Sequence, residues 1–316
     1  MKEGSKFLKS KMFALLVLLL LIVVFFTIAS KGTFFSLVNA RNILNAIVIV
    51  ALLTVGAGAL MISGQIDLST GASGTMCGIL MAILLVNGWP WPVAVVVALA
   101  AGGFVGAINA LLINELHFQG FIATMAMASV TQGLSYALGG AASIPVDNKV
   151  VVYMGTGRIA DVVPVSIIAA LLIFFVYGIM LNKTKFGRSI YLVGGNPAAA
   201  SLVGIDPKRI SYILFINSGV LGSLAGCLFA ARLKSATTTG IVSSQFAGMT
   251  AAILGGVSFG GGSGGMFGAF VGLLILNSFS NGMTLIKISP YWQTFASGAL
   301  LLFALALDFS GAKKKN

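Results

Sequence analysis

Long apolar runs, broken by short polar or glycine-rich intervals, fill the chain almost from end to end. Ten runs stand out, near 12 to 30, 43 to 62, 68 to 87, 91 to 113, 120 to 139, 162 to 181, 210 to 231, 244 to 258, 265 to 283 and 290 to 308. A helix needs about 20 predominantly apolar residues to cross a hydrocarbon core about 30 Å thick. The pattern predicts an all-α polytopic membrane protein with about ten transmembrane helices. Five runs fall on each side of residue 140, a layout compatible with two five-helix halves of inverted orientation. Residues 1–316 read as a single transmembrane domain, with one polar interruption at 182–209.

Composition strengthens this reading. Hydrophobic residues make up 58% of the chain and charged residues 8%, whereas a soluble domain carries roughly a quarter charged residues. The net charge of +12 does not point to nucleic acid, because the basic residues cluster at both ends and in the 182–209 segment. That clustering is the positive-inside pattern of cytoplasmic loops. Six runs separate the first cluster from the second and four separate the second from the third. Both numbers are even, so all three clusters share a side, and both termini are expected in the cytoplasm. Twelve of the nineteen basic residues then lie inside; Lys31, Arg41, Lys149, Arg158, Arg232, Lys234 and Lys287 lie outside. Thr27-Ile28-Ala29 imitates a signal-peptidase site, but the run before it is longer than a usual signal core and is expected to span uncleaved.

Many of the 40 glycines recur at helix-packing intervals: Gly102 with Gly106, Gly222 with Gly226, and Gly264 with Gly268 and Gly272. Small residues four apart let helix backbones approach closely in lipid. Cys77 and Cys227 sit in apolar runs without CxxC spacing or companion histidines, so neither a metal nor a redox centre is expected. His117, beside Glu115 at the end of a run, reads as an interfacial side chain.

One acidic residue stands apart. Asp67 in GQIDLSTGASG lies between two apolar runs with almost no loop, where a carboxylate costs roughly 2.5 to 3.5 kcal/mol at the bilayer centre. It must reach the interface or find donors. Ser69 and Thr70 offer hydroxyls, and a half-helix starting here would let Asp67 cap its free N–H groups. Contact with a solute is the other reading.

The 182–209 segment contains a short helix marked at both ends. Asn196 is a favourable N-cap, Pro197 suits the first helical position, and Gly204 suits the left-handed residue that closes a helix. Asp206-Pro207 then blocks continuation. About two turns are marginal in isolation, so this helix is expected to pack on a partner or on its own bundle. Other motifs are missing: GxxxxGK[ST] and HExxH are both absent. ATP coupling by the usual phosphate loop would therefore need another subunit. An ATP-independent secondary transporter or channel, and a membrane enzyme, are the rival classes.

Four segments carry a family resemblance. GQIDLSTGA (64–72), GFIATMAM (120–127), TKFGRSIYLVGGNPAAASLVGID (184–206) and ILGGVSFGGGSGG (253–265) resemble, in the same order, motifs of the ribose-type permeases of bacterial ABC importers. The resemblance implies a permease for a pentose, a hexose or a similar small polar solute, a nucleoside being the alternative. It also implies an ABC ATPase that holds ATP and Mg, a second permease subunit, and an extracytoplasmic solute-binding protein, with membrane lipid as the solvent. No cofactor is expected on this chain, and its home is the inner membrane. Gly194, Gly195, Asn196, Pro197, Ala198, Ala199 and Ala200 look like the family's coupling helix on the ATPase. Candidates for the path or its helix break are Gln65, Asp67, Ser69, Phe121, Thr124, Gln132 and Asn277. The chain departs from the family pattern at Gln245 and Ala247, in place of an acidic pair, and at Gln132, in place of an arginine.

Overall fold

A computed structural model describes residues 11–140, 142–160 and 163–313. Lys2, Lys6, Lys9, Lys314 and Lys315 of the terminal basic clusters lie outside the described residues. Helices dominate: α1 (Lys11–Ala29), α2 (Leu37–Ile62), α3 (Thr70–Val86), α4 (Trp91–Asn114) and α5 (Gly120–Gly139) come first. After them come α6 (Lys149–Thr156), α7 (Val165–Lys183), α8 (Lys185–Gly195) and α9 (Pro197–Leu202). The chain closes with α10 (Pro207–Leu233), α11 (Ser244–Leu254), α12 (Met266–Leu285) and α13 (Pro290–Lys313). Four two-residue strands, β1 (Ile144–Pro145), β2 (Arg158–Ile159), β3 (Val163–Pro164) and β4 (Ser235–Ala236), form the antiparallel pairs β1–β4 and β2–β3.

Among the described residues, seven helices are long and apolar enough to cross a membrane: α1, α2, α4, α5, α7, α10 and α12. Two of the ten expected runs are shorter than forecast. α3 has 17 residues, and α11 has 11, about 16 Å at 1.5 Å per residue and half the hydrocarbon core. The apolar run near 244 to 258 is cut at Gly255, where the glycine-rich stretch to Gly265 begins. Apolarity counted along the chain does not register that Gly256, Gly261, Gly262 and Gly264 all adopt positive φ, which ends a helix whatever its hydropathy.

α2 and α10 are the central helices, buried along most of their length, while α1 lies at the periphery with Leu20, Leu21, Phe25 and Ile28 exposed. Glycines set the spacing around α10. A Cβ at Gly102 would lie 2.5 Å from the Gly219 carbonyl oxygen, and one at Gly78 2.8 Å from that of Gly226. The Gly102/Gly106 and Gly222/Gly226 pairs are therefore seams, joining α10 to α4 and to α3. Ser223 Oγ adds a 2.7 Å bond to the Ala98 carbonyl across the first seam. Gly268 and Gly272 pack on Gly255 and Ala251 as expected, but Gly264 belongs to the loop, with φ +119°, and is no part of a helix seam.

The two ends of the bundle differ. At one, β1 pairs with β4, and α6 lies on the end of α10 with Gly155 against Ala231 and Arg232. At the other, α8 and α9 form a ledge beside the ends of α2 and α12. Asn196 Oδ1 accepts from Ala199 N at 3.0 Å, Pro197 opens α9, and Gly204 takes φ +80° just beyond its end. Each end signal read in the sequence falls on its residue.

Candidate functional site

The stretch between α2 and α3 is a climb through the interior of the bundle. Gln65 Nε2 donates to Ser211 Oγ at 2.9 Å, whereas Thr70 lies against Gly222. Those two levels of α10 are eleven residues apart, about 16 Å of helix. The five residues from Gln65 to Thr70 connect these levels without regular structure, bending at Leu68, and the length of the Gln65 side chain covers part of the rise. A segment without regular structure leaves backbone groups open, and the side chains along it close them.

Asp67 is 4% exposed. Its Oδ1 accepts from Ser69 N at 2.8 Å, Ser69 Oγ at 2.6 Å and, more distantly, Asn109 Nδ2 at 3.4 Å. Asn109 Nδ2 also donates to Ser69 Oγ at 2.8 Å. Asp67 thus ties its own turn to α4. The cap of α3 comes from elsewhere, because Gln245 Oε1 accepts from Gly71 N at 2.9 Å while Gln245 Nε2 donates to the Asp67 carbonyl at 3.3 Å. Thr70 offers Asp67 no hydroxyl bond; its carbonyl accepts from Ser73 Oγ. In the sequence Gln245 was only a departure from a family pattern, and nothing local reveals a contact across 174 residues.

Beside this network lies a cavity of about 880 Å³ between α5, α11, α12 and α13. Gln132 and Tyr136 face it from α5, Thr239 and Ser243 from the approach to α11, Phe246 and Thr250 from α11, and Gln293 and Ser297 from α13. Its described lining carries hydroxyls, amides and apolar surface, with no charged side chain. Gln132 Nε2 donates to the Thr238 carbonyl at 2.8 Å, and its buried Oε1 has no partner. A second hollow of about 490 Å³ lies between α7 and α12, walled mainly by apolar side chains such as Phe174, Phe267 and Phe270. It offers a polar solute little beyond Asn182 and Lys183.

Of the path candidates, Gln132 alone lines the larger cavity. Gln65, Asp67 and Ser69 belong to the connection between α2 and α3. Thr124 Oγ1 is turned back onto the Gly120 carbonyl, Phe121 is exposed at the start of α5, and Asn277 Nδ2 bonds the Leu273 carbonyl within α12. The seven residues do not form one site. Gly194 and Gly195 end α8, and of the α9 residues Pro197, Ala198 and Ala199 are exposed while Ala200 is buried. Leu202 and Val203, just beyond, are 89% and 70% exposed. Among the described residues there is no cluster of three or more His, Cys, Asp or Glu.

Comparison with known proteins agrees with this architecture. The family model described as "Branched-chain amino acid transport system / permease component" matches residues 39–305. The ribose import permease protein RbsC of Escherichia coli (strain K12) is 33% identical, over 93% of this chain and 92% of its own. The galactose/methyl galactoside import permease protein MglC of Haemophilus influenzae is 30% identical, over 94% of each. Among solved structures, PsaBC from Streptococcus pneumoniae in complex with Fab covers 87% of this chain and 95% of that one, with a TM-score of 0.51 and 13% identity, a likeness of fold. The chain belongs to the permease-component family of ABC importers and is a multi-pass inner-membrane translocation subunit.

Proposed function

We propose that the cavity bounded by α5, α11, α12 and α13 is this chain's share of the path for an uncharged sugar, and that α9 is its joint to an ABC ATPase. The relatives' names speak for ribose or galactose. The cavity speaks for the same class against the amino acids of the family description. A zwitterion leaving water loses solvation at two charges and needs charged or strongly dipolar partners, whereas the lining here is hydroxyl, amide and apolar. A sugar needs exchangeable hydrogen bonds and an apolar face to lie against.

The proposed topology has ten traverses, both termini in the cytoplasm, α8 and α9 on the inner face and the β1–β4 pair on the outer face. Set out as two halves, the elements correspond: α2 and α10 are second, with 26 and 27 residues, and α3 and α11 are third and shortest. Paired short segments at matching positions of inverted halves are where transporters place their sites. A second permease subunit would close the open side of the cavity, and a solute-binding protein would deliver sugar from outside. The ATPase would hold ATP and Mg; this chain itself would bind no cofactor.

The observation that carries the ATPase joint is the capped helix α9 with Leu202 and Val203 bared at one end of the bundle. Ala199→Trp, tested in the reconstituted complex, should leave the chain inserted and folded but abolish solute-stimulated ATP hydrolysis. Transport at the parental rate with the ATPase bound would remove α9 from that role.

A further inference from the structure

Three distant pieces of backbone meet beside α9 with no side chains between them. They are the end of α2, the end of α8 and the loop Ser258–Gly265 joining α11 to α12. Gly262 N donates to the Ile62 carbonyl at 2.8 Å. A Cβ at Gly194 would overlap that same carbonyl oxygen, and one at Gly261 would lie 2.6 Å from the Gly194 oxygen and 2.9 Å from Gly64 Cα. Tyr191, one turn before Gly195 on α8, donates its hydroxyl to the Gly264 carbonyl at 2.8 Å. Burial pushes its phenol further above the ordinary tyrosine value, so the group remains a donor at physiological pH.

Bare backbones in contact leave no side-chain rotamer to absorb a displacement. Whatever shifts α9 presses Gly194 on the end of α2, from which the connection to α3 begins. Through Tyr191 the same shift acts on the loop that terminates α11, a wall of the cavity. An ATPase shifts the permease equilibrium only through contacts that differ between its states.

We infer that Tyr191 and the Gly64–Gly194–Gly262 junction transmit the position of α9 to α11, with Tyr191 a positioning residue for ATP-coupled transport. The inference rests on α9 being the ATPase joint. The test uses the full complex with its ATPase and sugar-loaded binding protein, comparing basal with stimulated hydrolysis. Tyr191→Phe should keep basal turnover and the KM for ATP within about twofold of parent while stimulation falls about fivefold, in the range of ordinary allosteric couplings. Gly194→Ala should lose stimulation, whereas Gly260→Ala, whose Cβ meets only Ser258 Oγ at 3.9 Å, should keep it. Undiminished stimulation in Tyr191→Phe, a parallel fall of basal and stimulated rates, or equal damage from the two glycine variants would each overturn the inference. Ala199→Trp alongside separates the readings. If it abolishes stimulation while Tyr191→Phe does not, only the junction fails; if it retains stimulation, the joint itself is misplaced.

Discussion

Of the ten apolar runs, those at α3 and α11 form the two shortest helices, and they use their shortness in opposite ways. α3 is sealed: Thr70 through Ile79 are all buried, and the segment leading into it is held by Asp67, Ser69 and Asn109. α11 is two-faced. Gln245 and Gly248 turn into the bundle, Gly248 against Leu53 of α2, while Phe246 on the adjoining face lies 56% exposed in the cavity. A broken helix needs partners for its freed backbone groups. In α3 those partners are internal and fixed; in α11 the same helix that serves α3 through Gln245 also forms the wall a solute would touch. α3 is a fastener; α11 supplies the cap of α3 from one face and presents the other face as a wall.

The largest effect is expected at the fastener. Asp67→Ala leaves the Ser69 N–H and hydroxyl and the Asn109 amide short of an acceptor in the interior, at about 1–3 kcal/mol for each buried group left unsatisfied. Abundance in the membrane and the thermal midpoint in detergent should both fall, with transport per folded molecule falling less. A variant of parental stability with altered sugar preference would make Asp67 a solute ligand and erase the distinction between the two helices.

How far this was readable in the sequence depends on the range of the interaction. The α9 signals are local, each end residue acting within three or four positions, and Asn196, Pro197 and Gly204 all fall in place. Asp67 was conspicuous because a lone carboxylate amid apolar runs must find donors, and Ser69, two residues on, is one of them. The cap on α3 was not readable, since Gln245 comes from another element and amides recur throughout the chain. The halt of α11 at Gly255 lay in the glycine-rich motif, but hydropathy alone carried the expected span past it. Tyr191 drew no notice at all: a tyrosine in a polar segment gives no sign that its hydroxyl meets Gly264, 73 residues away.

The second effect tests the tie between the two helices. Gln245→Met keeps length and bulk but removes both hydrogen bonds, freeing Gly71 N and the Asp67 carbonyl. With two buried groups left unsatisfied instead of three, the loss should be about 2–6 kcal/mol, smaller than for Asp67→Ala. Thermal denaturation of the two variants and their double mutant checks this. Residues within one network are expected to be non-additive; strict additivity would mean that Gln245 and Asp67 act separately and that α11 does not fasten α3.

The smallest effect on stability should come one residue away. Phe246 is next to Gln245 on α11, but its ring stands in the cavity and is more than half exposed. Substitutions at exposed positions free of special contacts fall within about 0.5 kcal/mol. The thermal midpoint of Phe246→Ala should therefore stay near parent while that of Gln245→Met drops. Transport should respond in the opposite order. Removing the ring takes away an apolar face against which a sugar would lie and enlarges the cavity, so the KM of sugar uptake should rise several-fold, with basal ATP hydrolysis unchanged. The adjacent residues then separate the inner face of α11 from its outer face by two readouts, stability and KM. If Phe246→Ala destabilises the chain as much as Gln245→Met and leaves KM untouched, α11 is a fastener on both faces and the path lies elsewhere.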